Sequence, residues 1–209
     1  MTNYNQIQWL KHIIMHPFEG FEDLRYKKAG SSRYATVIIA LWLLGAVLCD
    51  NFQGKQFEMT DSSKFSTIPY IVKTVIVFFA WVLGNWSVCT LLDGEGTMKK
   101  IYIFSAYALV PYVAQLYVKT LLSHILAREE AVFIVIFEVI GILWTVMLMF
   151  SAIKAVHQFS LSRTVLSIVL TIGAGVVIVV LLILSAALAQ HAADFISSLW
   201  AETEYRTRG

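Results

Sequence analysis

Apolar residues in this chain come in long unbroken runs rather than in alternating or one-sided patterns. Five such runs lie at roughly Tyr34–Phe52, Ile68–Leu92, Ile101–Leu126, Ala131–Ile153 and Val165–Gln190. Each is about as long as the ~20 residues a helix needs to cross a ~30 Å hydrocarbon core. Lipid admits only hydrogen-bonded helices or closed barrels, and the runs lack the period-two alternation of barrel strands. The predicted fold is an all-α integral membrane protein with five transmembrane helices, preceded by short interfacial helices.

Residues 1–33 carry that preceding region. Ile7, Leu10, Ile13 and Ile14 fall at helical spacing with Trp9 at the edge of the stripe. Pro17 then interrupts and suits the first turn of a second helix. Glu19, Glu22 and Asp23 crowd its start, and Arg25, Lys27 and Lys28 crowd its end, as the helix dipole favours. Its apolar face (Phe18, Phe21, Leu24) fits two placements: lying in the headgroup layer, or docked against the bundle's underside. Residues 34–190 form the five-span domain and 191–209 a short outer tail. Within that tail Phe195, Ile196, Leu199 and Trp200 suggest an interfacial turn, and the last nine residues read as frayed. Residues 1–33 contain no apolar core of a cleavable signal. Asn51–Thr67 reads as a polar outer loop, and 127–130 is tight enough to make spans three and four an antiparallel hairpin.

Composition agrees: 58% of residues are hydrophobic and 14% charged, far from the soluble norm. The net charge of +2 is too small to suggest a nucleic-acid partner. With the N-terminus inside, nine lysines and arginines fall on the cytoplasmic side and five outside, which favours N-in and hence C-out in a cell membrane. On that topology Cys49 and Cys89 lie near opposite faces, beyond the ~7 Å Cα separation a disulfide tolerates.

Three charges fall inside spans, where each costs ~2.5–3.5 kcal/mol near mid-bilayer: Lys73, Lys119 and Glu138. Lys119 precedes Ala127 by eight residues and Glu138 follows Glu130 by eight. The hairpin therefore sets them at matching depth, as an ion pair that locks two helices or as part of a solute path. Lys73 enters only a turn or so deep, free either to snorkel outward or to join the pair. Ser167, Thr171 and Gly175 recur every four residues on one face of span five, and Ser185 and Ala189 continue the spacing. Such a face serves internal packing or contact with a partner.

Motifs for chemistry are missing or incomplete. Ser151-Ala-Ile-Lys154 lacks the companion motifs of a serine acyl-enzyme. His12 and His16 have no third metal ligand nearby, so no metal and no cofactor is predicted. Asn85-Trp-Ser87 matches a glycosylation signal inside a span. Asp93-Gly-Glu-Gly96 lacks the lysine of a phosphate loop.

The same segment reads as a tight cytoplasmic hairpin. Gly94 and Gly96 permit turn dihedrals, and Thr97 is placed to cap the next helix. Lys99 and Lys100 face the headgroups, and Pro111 is placed to bend span three. The run from Leu91 to Lys100, followed by Tyr107 and Pro111, resembles the Yip1-domain family. The Pro17-Phe-Glu-Gly-Phe21 lead-in and the five-span N-in order are also similar to it, over about residues 17–190. The eukaryotic branch is associated with trafficking and lipidated small GTPases, but it carries a long cytosolic N-terminal region that this chain does not show. The chain is more similar to bacterial members, often taken for accessory components beside ABC-type transporters. The resemblance thus implies a non-enzymatic accessory subunit binding lipid and an integral membrane partner, such as transporter permease subunits, or a second copy. The alternatives are a small-solute transporter or channel using Lys73, Lys119 and Glu138, and a membrane-organising protein.

Overall fold

The structure, a computed structural model, describes residues 5–52 and 66–208, and every regular element among them is a helix. Two short helices, α1 (Gln6–Met15) and α2 (Pro17–Tyr26), precede five helices long and apolar enough to cross a membrane. These are span one (Ser32–Asn51), span two (Ile68–Leu91), span three (Met98–Ile125), span four (Ala131–His157) and span five, whose helix runs Leu161–Arg208. Most of the predicted polar loop after span one, including Lys55 and Lys64, lies outside the described residues. The end of the bundle that carries α1 and α2 is called the near face below, and the opposite end the far face.

Span five departs from expectation. Its helix has 48 residues and continues through the segment predicted as an interfacial turn and frayed tail. No glycine or proline falls between Gly175 and Gly209, and residues 186–193 are rich in alanine, so nothing local stops propagation.

Span three is the central helix. Its near half, Met98–Ala108, packs against spans one, two and four; its far half, Val110–Ile125, packs against one and four. The two halves meet at Leu109, with Pro111 in the first turn of the second. Proline offers no N–H and its ring crowds the carbonyl four residues back, so the helix is interrupted there. Span two has its own irregularity, a π-helical turn at Val72–Ile76 that contains Lys73. Span five lies along span two and meets span four only weakly.

The N-terminal helices dock on the bundle instead of lying free. Trp9, Ile13, Phe21 and Leu24 are buried in the same core as Phe104 and Leu148, and the Phe21 and Phe104 rings stand 5.6 Å apart. Burial is uneven along span four. From Ala131 to Met147 only Ile134 and Thr145 are buried; from Leu148 to His157 most residues are. Toward the far face the spans separate, leaving an apolar cleft of about 330 Å³ lined by Trp81, Thr145, Met149, Ile168 and Ile172.

Candidate functional site

Polar side chains gather in two places. The first is at the near face, where span two ends. Asp93 takes a left-handed conformation (φ 58°) and Gly94 N–H bonds back to the Cys89 carbonyl at 2.8 Å, which terminates the helix in a Schellman arrangement. The glycines were expected to supply unusual dihedrals, yet neither has positive φ. They are needed for room. A Cβ on Gly94 or Gly96 would run into the His157 ring. Thr97 caps span three by accepting from Lys100 N–H at 3.4 Å, and Lys99 is exposed at the near face.

His157 is the hub of this region. Gly96 N–H donates to its Nδ1 at 3.3 Å, so the ring proton belongs on Nε2, which lies 3.0 Å from Asn85 Oδ1. Asn85 Nδ2 donates to Thr171 Oγ1 at 3.1 Å, and the Thr171 hydroxyl donates to the Ser167 carbonyl at 2.6 Å. One directional chain of bonds therefore ties the 93–97 turn to spans four, two and five. Its three side-chain members, Asn85, His157 and Thr171, are all buried. Burial in a low-dielectric interior strengthens such a chain and makes any missing member costly.

The N-terminal helices are fastened to the same region. Arg25 donates to the Ala155 carbonyl at 2.8 Å, in the last turn of span four, and to Glu95 at 2.5 Å. Lys154 meets Glu22 at 3.3 Å. Tyr107, fully buried, donates to Gln6 Oε1 at 2.8 Å and accepts from Ser31 N–H at 3.2 Å. The tyrosine of the resembled motif thus holds α1 and the linker before span one.

The second gathering is in the far half. Lys119 Nζ and Glu138 Oε2 stand 3.0 Å apart, with side chains 25% and 34% exposed. Lys73 does not join them. It turns outward, 66% exposed, with Nζ 4.0 Å from Asp50 Oδ2. One turn below the pair is Gln115, a residue the sequence reading passed over. It is 2% exposed, and among the described residues neither its Nε2 nor its Oε1 has a hydrogen-bond partner. Tyr112, about a further turn down, is partly buried.

The small-residue face of span five turns inward. Ser167 and Thr171 are buried against span two. Gly84 meets them from the other side: a Cβ there would come within 3.2 Å of the Gly175 nitrogen and 3.3 Å of the Thr171 carbonyl. Ser185 and Ala189, further along, are exposed. Among the described residues no group of histidine, cysteine and carboxylate side chains converges as a metal site would require. Cys49 and Cys89 are separate buried thiols.

Five apolar helices and two polar clusters of this kind define a multi-pass helical membrane protein. Its family follows from a direct match: the model of the Yip1 domain covers residues 11–184, and the chain belongs to that family. Searches of curated proteins and of solved structures find no match.

Proposed function

We propose that this protein is a non-enzymatic membrane subunit or scaffold that binds another integral membrane protein through the far half of span four. Membership of the Yip1-domain family is consistent with a membrane-associated, non-enzymatic role. One observation carries the reading. Along Ala131–Met147 only Ile134 and Thr145 of span four are buried, and the Lys119–Glu138 pair that joins this stretch to span three is a quarter to a third exposed at membrane depth. Ionisable groups within spans almost always face a bundle interior or a water-filled cavity, so a partner covering this edge removes an expensive exposure. The permease subunits of an ABC-type transporter are the partner class to test first. A second copy is the next: a twofold axis along the membrane normal preserves depth, so Lys119 of each copy would meet Glu138 of the other. The solute-transporter reading has less support, because Lys73 pairs with Asp50 and not with Glu138.

The orientation that accompanies this reading puts the near face in the cytoplasm and the end of span five outside, in line with the lysine and arginine count. Two measurements test the proposal. A photo-crosslinking residue at Ile142 or Leu143 should trap another protein chain in native membranes, whereas the same probe at Leu184 should trap lipid. Lipid adducts at all three positions would sink the partner. Single cysteines at Lys99 and Ser198, in a chain lacking Cys49 and Cys89, should be labelled by an impermeant thiol reagent at 198 only. Labelling at 99 in intact cells reverses the orientation.

A further inference from the structure

The unpartnered amide of Gln115 is the feature the helix packing leaves unexplained. Its environment is enclosed on every side: 2% of the residue is exposed, and a Cβ on Gly141 of the facing helix would collide with Oε1. Gly141 follows Glu138 by three residues and Lys119 follows Gln115 by four, so amide and ion pair are stacked one helical turn apart. A partner helix covering the pair cannot reach beneath it. Whatever satisfies Gln115 must be small.

We propose that Gln115, together with Lys119 and Glu138, forms an intramembrane water-binding site. The amide presents an unpaired donor and an unpaired acceptor side by side, and water supplies both roles in one molecule. A bare cation would leave the Nε2 hydrogens unmatched and be repelled by Lys119. An anion would leave Oε1 unmatched and be repelled by Glu138. Buried water usually makes about three hydrogen bonds. Here the two ends of the amide provide two, and we assign the third to the charged pair one helical turn away. Lys119 and Glu138 lie one turn toward the far face, and Gly141 lets the amide come close against span four where a side chain would exclude it. Water held there also hydrates the inner side of the ion pair, which reduces what the membrane interior charges for it. The inference stands apart from partner binding, since the site is closed with or without a neighbour over span four.

The sign of one substitution decides the matter. Gln115→Met keeps length and volume but removes both polar ends. If the amide is dry, its removal relieves a buried unsatisfied group and the protein melts higher. If the amide holds water, the variant loses those bonds. The full-length protein in lipid nanodiscs should then melt lower, by roughly 2–4 °C. A rise or an unchanged melting temperature overturns the proposal. Hydroxyl-radical footprinting separates lost water from mere repacking, because radicals form where water resides. Tyr112, one turn from Gln115, should be oxidised in the wild type and protected in Gln115→Met, with buried Leu148 unmodified in both. A lower melting temperature with Tyr112 oxidation unchanged also overturns it.

Discussion

The two halves of span four were made from similar apolar residues and do opposite work. In the near half α2 and the near half of span three pack against span four, and the polar groups satisfy one another in a chain through His157, Asn85 and Thr171. In the far half span four touches span three alone to any great extent, and its polar groups are left part-covered or unpaired. The difference teaches where to look for function in a protein without catalytic motifs. A satisfied polar cluster explains itself as architecture, because breaking it is costly and completing it needs nothing further. An unfinished one points to something beyond the chain.

The comparison can be broken most severely at the 93–97 turn. Gly96→Val places a branched side chain against the His157 ring and Val156, where the added carbon has no free space. Overpacking of this kind costs ~1–3 kcal/mol, and losing the bond from Gly96 to His157 adds to it. We expect little folded protein on size-exclusion chromatography in mild detergent; a monodisperse, wild-type-like peak would show that the near half is looser than described.

In the far half the expected effects are smaller. Glu138→Gln and Lys119→Met should each lower stability by about 1–3 kcal/mol, less than the ~3–5 of a fully enclosed pair, because both side chains keep an open edge. Their double mutant should recover part of the loss, with a coupling of about 0.5–2 kcal/mol in a thermal cycle. Strict additivity would mean that the 3.0 Å contact contributes nothing.

Span five supplies the finest contrast, between two glycines on packed and open ground. Gly84→Ala pushes a methyl group against the backbone of span five at Thr171 and Gly175 and should cost about 1–2 kcal/mol. Gly173→Ala meets nothing within 4 Å and should stay within about 0.5 kcal/mol of wild type. Equal losses in thermal unfolding would contradict the seating of span five on span two.

Much of this was legible from residues alone, for identifiable reasons. The five spans are visible because length and hydrophobicity are imposed by lipid. The depth match of Lys119 and Glu138 follows from a link too short to permit any other register. The His157–Asn85–Thr171 chain joins three spans distant in sequence, and no local periodicity encodes which faces will meet. Asn85 attracted notice only as part of a glycosylation pattern, and Gln115 was one polar residue in an apolar helix. The roles of Gly94 and Gly96 also needed structure: a glycine in a turn looks the same whether it serves a dihedral or makes space for a ring.

Span five has a mechanical consequence. At ~1.5 Å per residue its 48 residues reach about 72 Å, more than twice the ~30 Å of hydrocarbon. It lies against span two as far as about Val180, and among the described residues its buried side chains are Thr164, Ser167 and Thr171. A rod fixed at one end is a lever. Transmembrane helices tilt by ~20° on average, and a tilt of that size about Gly175, with about 50 Å of helix beyond it, would carry the tip sideways by roughly 17 Å. The fulcrum is the contact between Gly84 and Gly175, so a displacement too small to disturb the bundle would be read at the tip as a large one.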